Sequence, residues 1–356
     1  MKKILVVDDS ALVRRVLCDI IELDDRFHVE DKATNGLEAL DLLSSKSYDA
    51  VVLDVNMPKM NGLELLRELQ KRKIPAKVVM ASTDTREGAQ ITLDALELGA
   101  IDFVHKPDTA VDCRKNVFRE RLLEVLAAAT ESKAPSFTKT FTMDEVKSSK
   151  KMLELVSKHT VKVTGNKVVA IASSTGGPKA LQAVIPRLPA ALKAPVVIVQ
   201  HMPAGFTASF AERLNSLSEL GVKEAAEGDV LTPGMVYIAM GGKHLNIRSL
   251  GGKHVIYYTD EPNREGVKPC ANYMYESLAE CKYDEVISVV MTGMGADGTK
   301  GIMHLKDKKK IHVIAQNEDT CAVYGMPKSI VNSGMANQVV PLEQIAQEII
   351  MNVGVM

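Results

Sequence analysis

The chain has 356 residues, more than most single domains contain, so two domains are expected. Hydrophobic residues at 46% and charged residues at 25% are typical of a globular protein. A formal net charge of −1 gives no excess of positive charge of the kind that binds nucleic acid. The five cysteines form no metal-binding or disulfide pattern and no apolar run is long enough to span a bilayer, so we expect a cytoplasmic protein without membrane insertion.

The first third of the chain alternates short β-branched runs with longer amphipathic runs. Strands are predicted over residues 4–7, 28–33, 50–53, 77–81 and 101–104. Helical periodicity covers residues 11–23, 36–45, 62–71, 88–98 and 113–128. Five such βα units with short connections predict a doubly wound parallel sheet in a domain of residues 1–128.

A turn-rich and polar stretch, residues 129–165, is interpreted as a linker that contains one possible helix over 143–158. The second α/β domain then covers residues 166–356 and is expected to be doubly wound and mainly parallel. Its strands are predicted over 168–172, 195–200, 236–239, 255–258, 286–291, 311–315 and 338–340. Its helices are predicted over 177–187, 206–217, 271–281 and 341–352. Paired glycines at 241–242 and 251–252 are predicted to flank an antiparallel hairpin.

Three carboxylates stand at the ends of predicted strands in the first domain. Asp8 and Asp9 follow the first strand, and Asp54 follows the third. In the strand order 2-1-3-4-5 these strands are neighbours at the topological switch point, so the three acids should converge on one pocket. Such a cluster calls for a hard cation such as Mg²⁺, and Ser82 and Lys106 follow strands four and five at the same edge. For any single aspartate, helix capping is an equally good interpretation.

The second domain begins with a strand that runs directly into Ser173-Ser174-Thr175-Gly176-Gly177. A hydroxyl at such a strand-to-helix turn lies near unpaired N–H groups that can stabilise an oxyanion. The alternatives are an ordinary helix cap and a phosphate-binding loop, although the glycine spacing fits neither common phosphate motif.

Two further side chains follow buried strands of the same domain. His201 comes directly after the strand over 195–200, and Asp297 lies in the glycine-rich loop after the strand over 286–291. A hydroxyl, an imidazole and a carboxylate at one sheet edge can form a nucleophile, a base and an orienting acid. Seven other histidines compete for the role of base, and Asp297 by itself could be a turn former.

The motifs ILVVDDS, VVLDVNMP, VVMAST and FVHKP, spread over residues 3–125, resemble the receiver domains of two-component response regulators. The resemblance implies a flavodoxin-like fold, Mg²⁺-dependent phosphorylation and a chemotaxis histidine kinase as phosphodonor. It implies that Asp54 is the phosphoacceptor. It implies that Mg²⁺ is held by Asp8, Asp9, Asp54 and the backbone of Asn56, and that the switch residues are Ser82, Phe103 and Lys106.

The motifs IASSTGG, VQHMPAGFTASFAERLN, VYIAMGGKH, VVMTGMGADG and IAQNEDTCAVYGMP resemble the catalytic domain of chemotaxis protein-glutamate methylesterases. The resemblance implies Ser174 as nucleophile, His201 as base and Asp297 as orienting acid, with Thr175 and Met294 lining the site. It also implies the cytoplasmic domains of chemoreceptors as substrate, deamidation of glutamine as a second activity, and no cofactor at the hydrolase site. The family usually has Gly-Ala before the serine, whereas this chain has Ala172-Ser173, so a second hydroxyl stands beside the expected nucleophile.

Overall fold

The structure is a computed structural model that describes residues 1–83, 86–107, 116–132 and 165–355. The chain divides into two compact units between residues 138 and 139. Most of the expected linker, its possible helix over 143–158, and the first residues of the helix expected over 113–128 lie outside the described residues.

The first unit is a five-stranded parallel sheet with the order β2-β1-β3-β4-β5. Its strands are β1 (Lys2–Val7), β2 (Phe27–Ala33), β3 (Ala50–Asp54), β4 (Val78–Thr83) and β5 (Asp102–Lys106). Its helices are α1 (Ala11–Ile21), α2 (Gly36–Ser45), α3 (Gly62–Arg72), α4 (Arg86–Glu97) and α5 (Asn116–Glu131). The predicted strand order and flavodoxin-like architecture are confirmed.

The second unit contains a seven-stranded parallel sheet with the order β14-β13-β12-β6-β7-β9-β8 and a separate two-stranded hairpin, β10-β11. The strands are β6 (Lys167–Ser173), β7 (Val196–Gln200), β8 (Gly221–Glu224), β9 (Met235–Ile238), β10 (His244–Leu250), β11 (Lys253–Thr259), β12 (Glu285–Val290), β13 (Lys310–Gln316) and β14 (Gln338–Val340). The α-helices are α6 (Gly177–Val184), α7 (Phe206–Leu217), α8 (Ala271–Ala279), α9 (Thr299–Lys306), α10 (Met326–Asn332) and α11 (Leu342–Val353), and short 3₁₀ turns cover Ile185–Arg187 and Glu318–Thr320.

The central strands of both sheets are buried along their whole length, which explains why they read as continuous apolar runs. In the second unit β6 lies between β12 and β7, so the first strand of the domain occupies the switch point of the sheet. The loops after these three strands therefore meet at one edge, and this edge carries the expected serine, histidine and aspartate.

The structure adds elements that the sequence did not predict. The edge strand Gly221–Glu224 has four residues with only one fully buried, so it shows no alternation. Helices Thr299–Lys306 and Met326–Asn332 are too short for a clear apolar stripe. The predicted hairpin exists, but Gly251 and Gly252 form its tip rather than flanking it.

No helix among the described residues is both long enough and apolar enough to cross a membrane.

Candidate functional site

The first unit gathers its acidic side chains in one pocket at the ends of β1 and β3. One carboxylate oxygen from each of Asp8, Asp9 and Asp54 lies within 4.8 Å of the others. The ammonium of Lys106 lies 2.9 Å from Asp8 Oδ2 and 2.7 Å from Asp54 Oδ1, and donates a hydrogen bond to each. The interpretation of Asp8 or Asp9 as the cap of α1 is wrong, because the hydroxyl of Ser10 caps this helix by accepting from the N–H of Val13.

Burial, together with the negative charge of Asp8, raises the pKa of Asp54 to about 6 against the lowering effect of Lys106. A raised pKa is expected for a carboxylate that is removed from water beside another acid, when the one nearby cation does not offset both effects. The close set of carboxylate oxygens fits a Mg²⁺ ion, which prefers hard oxygen ligands, and would hold it through Asp8, Asp9 and Asp54.

The other expected receiver residues lie on β4, on β5 and in the loop after β3. Ser82 is buried near the end of β4, where its hydroxyl donates to the carbonyl of Gly88. Phe103 is buried in β5, in register with Met80 of the neighbouring strand. Asn56 lies two residues after Asp54, outside β3, and is exposed.

In the second unit, the turn after β6 is held by a network that separates its two serines. The hydroxyl of Ser173 is fully buried and donates to Gln200 Oε1 at 2.7 Å. Gln200 Nε2 in turn donates to the carbonyl of Ser174 at 3.0 Å, and the N–H of Ser174 donates to the carbonyl of Thr292 at 3.0 Å. The side chain of Ser173 therefore helps to hold the turn, whereas Ser174 is held through its backbone N–H and carbonyl groups.

The hydroxyl of Ser174 forms no hydrogen bond with any residue within the described ranges 1–83, 86–107, 116–132 and 165–355. No side chain caps the helix that follows, because Gly176 occupies the N-cap with φ = 75°. The helix-cap interpretation of the serines is thus wrong. Since the N–H of Ser174 is already bonded to Thr292, an oxyanion would have to be stabilised by other donors.

His201 and Asp297 are brought into contact at the same sheet edge. His201 Nε2 lies 2.8 Å from Asp297 Oδ2, with both side chains almost completely buried. The N–H of His201 donates to the carbonyl of Ser173 at 3.1 Å, which places the imidazole residue directly beside the serine turn. Of the eight histidines in the sequence, His201 thus has the position expected of a base.

The carboxylate of Asp297 also lies at the N-terminus of helix Ala271–Ala279. It accepts from the N–H of Ala271 at 2.6 Å, of Asn272 at 3.0 Å and of Gly298 at 2.8 Å, and from the thiol of Cys270 at 3.0 Å. Burial alone would raise the pKa of Asp297, but the hydrogen bond and charge of His201, with the bonds from Cys270 and Ala271, lower it to about 2. Asp297 is therefore ionised throughout the physiological range.

The remaining expected residues, Thr175 and Met294, lie in the segments that follow β6 and β12. Thr175 is buried, and its carbonyl accepts from the hydroxyl of Thr292 at 2.9 Å, while Met294 is partly exposed. Sequence reasoning missed Gln200 and Cys270. The only available signal for Gln200 was a polar residue at the end of an apolar strand, and for Cys270 a position immediately before a predicted helix.

Family comparisons cover both units. Residues 169–349 match the family described as CheB methylesterase, and residues 4–118 match the response regulator receiver domain. A relative from Pyrococcus abyssi, described as protein-glutamate methylesterase/protein-glutamine glutaminase, is 41% identical over 98% of this chain and 92% of its own length.

This chain belongs to the CheB methylesterase family.

A relative from Bacillus subtilis with the same description is 40% identical over 98% of both chains. The crystal structure of the Thermotoga maritima CheB methylesterase catalytic domain superposes with a TM-score of 0.51 and 44% identity, over 52% of this chain and 98% of that one. The chain is thus an ester hydrolase of the protein-glutamate methylesterase class with protein-glutamine deamidase activity, joined to a response-regulator receiver domain, and the family places it in chemotaxis.

The close approach of Gly293 to Ser174 leads to a test of how tightly the methylesterase site is packed. A Cβ added at Gly293 would lie 2.7 Å from Ser174 Cβ and would also overlap Met326 Sδ. We expect Gly293→Ala to displace Ser174 and to lower the turnover of ester hydrolysis by about 100-fold, because shifts near 1 Å have effects of that size. Gly334→Ala is the control: an added Cβ there meets nothing within 4 Å, although the left-handed φ of 72° strains alanine and lowers stability, so turnover measured well below the melting temperature should be unchanged. Equal turnover in the two variants would contradict the packing described.

Proposed function

We propose that this enzyme hydrolyses γ-glutamyl methyl esters on the cytoplasmic domains of chemoreceptors through a triad of Ser174, His201 and Asp297. The observation that supports the triad most directly is the 2.8 Å contact between His201 Nε2 and Asp297 Oδ2 beside the serine turn. The receptors are proposed as substrates because the CheB methylesterase family implies a methyl-accepting receptor, and the relatives' description as protein-glutamate methylesterase/protein-glutamine glutaminase fits the side chains acted on.

The contact with Asp297 determines which nitrogen of His201 acts as the base. An ionised carboxylate can only accept, so Nε2 carries the proton of the 2.8 Å hydrogen bond. The lone pair of the neutral imidazole is then on Nδ1. We therefore assign Nδ1 of His201 as the atom that removes the proton from Ser174. The bond from Ser174 to His201 is expected to form in the substrate complex, since such bonds are often long before substrate binds.

The reaction then proceeds in two balanced steps. The oxygen of Ser174 attacks the ester carbonyl while His201 takes the hydroxyl proton, and the resulting imidazolium returns that proton to the departing methoxide as methanol. Water next attacks the acyl-enzyme with His201 again as the base, which releases a glutamate side chain and free Ser174. Thr175 and Met294 are proposed to line the pocket in which the oxyanion forms.

Deamidation uses the same groups with a different leaving group. The side-chain amide of glutamine presents the same carbonyl to Ser174, and His201 delivers its proton to nitrogen so that ammonia leaves. Both activities require only residues of this chain, and we assign no cofactor to the hydrolase site.

Mass spectrometry combined with a methanol assay tests the proposed triad. A serine-directed phosphonate should add its mass to the peptide that contains Ser174, and the labelled enzyme should no longer release methanol from methyl-esterified receptor membranes. Label on Ser173, or methanol release that survives complete labelling of Ser174, would contradict the assignment.

We further propose that phosphorylation of Asp54 by a chemotaxis histidine kinase controls the hydrolase. The carboxylate of Asp54 would attack the phosphoryl group, and Lys106, 2.7 Å from it, would contact the product. Mg²⁺ held by Asp8, Asp9, Asp54 and the backbone of Asn56 would supply the positive charge that the transferring phosphoryl group requires. Ser82 and Phe103 are proposed as the switch residues. All of these steps take place in the cytoplasm if the kinase and the receptors' cytoplasmic domains are the partners.

Replacing the phosphoacceptor should separate regulation from catalysis. A small phosphodonor with Mg²⁺ is expected to raise the esterase rate of the full chain by about 5- to 150-fold, the usual range of such coupling. Asp54→Asn should abolish this rise and leave the unstimulated rate unchanged. Asp41→Asn, on the exposed face of helix Gly36–Ser45, is the matched control and should respond fully. A full response in Asp54→Asn would place the phosphorylation elsewhere.

A further inference from the structure

We propose that the thiol of Cys270 is a positioning group for the catalytic acid, holding the carboxylate of Asp297 in the orientation that fixes the His201 ring. The inference rests on the proposed triad. It gives a role in the hydrolase to a cysteine that makes no disulfide and lies outside the motifs quoted above.

The two oxygens of the Asp297 carboxylate have different partners. Oδ2 faces His201 and the N–H of Ala271, and is therefore the oxygen that orients the imidazole. Oδ1 accepts from the thiol of Cys270, from the N–H of Asn272 and from the N–H of Gly298. The thiol is the only side-chain donor among the partners of Oδ1 in the part of the chain that the structure describes. Rotation of the carboxylate would break these bonds. The bonds to Oδ1 therefore hold the carboxylate in place, and Oδ2 is the oxygen that orients His201.

The thiol is suited to donate rather than to react. Cys270 is fully buried at the N-cap of helix Ala271–Ala279, and its backbone N–H donates to His244 Nδ1 at 3.2 Å. Burial raises the pKa of the Cys270 thiol well above its usual range, and the negative charge of Asp297 raises it further. A thiol that keeps its proton presents that proton to Oδ1, and is neither a nucleophile nor a metal ligand here.

The Cys270 thiol also changes how much negative charge faces His201. Each donor on Asp297 draws part of the carboxylate charge away from His201. Loss of the thiol leaves more of that charge facing the imidazole, which favours the imidazolium and raises the pH at which the base becomes active. Loss of the thiol also frees the carboxylate to turn, so the ring is held less well. Both effects change turnover, while neither touches the substrate.

Other titratable groups face this cluster without carrying the effect. Burial lowers the pKa of His244, which keeps the ring neutral as the acceptor of the Cys270 N–H. Tyr275 is completely buried and bonded to the carbonyls of Ala170 and Val289, and burial keeps its pKa far above the assay range. Arg264 forms an ion pair with Glu276, the ring of Tyr273 packs at a tilt against that of His244, and Lys268 and Glu261 act on His244 with opposite signs.

Steady-state kinetics of the full chain, with phosphodonor and Mg²⁺ present, test the assignment. We expect Cys270→Ala to lower kcat for methanol release by about fivefold, the size of one typical hydrogen bond, with KM unchanged. The acid limb of the kcat–pH profile should move to higher pH. Cys270→Ser, which restores an O–H donor, should recover both the rate and the position of the limb.

Cys281→Ala is the matched control. Cys281 is also buried, in the same unit, but its thiol donates to the backbone carbonyls of Ile247 and Ser277 at 3.5 Å and contacts the Ser249 hydroxyl, not Asp297. This variant should lose stability like Cys270→Ala and keep the native kcat and acid limb. Should Cys270→Ala not fold, Cys270→Val fills the space without a donor and carries the same expectation.

The outcomes also separate this inference from the triad itself. Ser174→Ala measured in parallel must be inactive; if it is active, both the triad and the role of Cys270 are wrong. If Ser174→Ala is inactive while Cys270→Ala behaves like Cys281→Ala in kcat and acid limb, the triad stands and the role of Cys270 is overturned. Failure of Cys270→Ser to restore the limb overturns it as well.

Discussion

Ser174→Ala is expected to reduce the turnover of ester hydrolysis by about a million-fold, the usual effect of removing a triad nucleophile. Ser173→Ala should keep most of the activity, because the Ser173 hydroxyl is buried against Gln200 Oε1 and cannot reach a substrate. Its loss removes one hydrogen bond, worth about 1 kcal/mol of stability. Methanol release from methylated receptor membranes measures both variants.

The two serines are each other's control, since they are adjacent and differ in what holds their hydroxyls. A fall in melting temperature without loss of turnover is the expected signature of Ser173→Ala. If Ser173→Ala were the inactive variant, the nucleophile would be misassigned and Gln200 would have to be reconsidered as part of the chemistry.

The second large effect is a ranking of the other two triad members. His201→Ala should lower turnover by about 2 × 10⁶, whereas Asp297→Ala should lower it by roughly 3 × 10⁴, as in a comparable hydrolase. The reason is that His201 transfers protons, while Asp297 only orients the ring and stabilises its charge. Single-turnover and steady-state rates on the same substrate provide the comparison.

Asp297→Ala also removes the acceptor of several buried N–H groups, so its folding must be checked separately. The N–H groups of Ala271, Asn272 and Gly298 would lose their partner, and each such group costs about 1–3 kcal/mol. Circular dichroism and the melting temperature therefore accompany the kinetics, with rates measured well below the transition. Undiminished turnover in a folded Asp297→Ala would remove this residue from the mechanism.

The positions of the two sites could be predicted from the sequence because both follow from parallel sheets. Asp8, Asp54 and Lys106 each end a buried strand of the first unit, and neighbouring strands bring such ends together. His201 and Asp297 were expected to meet by the same reasoning, and they do. The receiver and methylesterase motifs identified the family.

The details that decide the chemistry depend on side-chain packing and could not be read from local patterns. The family resemblance favoured Ser174 over the neighbouring Ser173, but only the structure shows that the Ser173 hydroxyl is engaged with Gln200. Which nitrogen of His201 faces Asp297 depends on a ring rotation. The contact of Cys270 with Asp297 joins residues 27 positions apart, across a helix and a strand whose relative placement no local pattern predicts.

The place of β6 between β7 and β12 also has a consequence for folding. The serine turn and His201 come from consecutive strands, but Asp297 is 96 residues beyond His201 and arrives with β12. Strand pairings between distant segments form late, because the chain must first close a long loop. We therefore expect a partly folded chain to bring the serine turn and His201 together before Asp297 joins them. The proposed triad would be complete only once β12 has paired with β6 in the middle of the sheet.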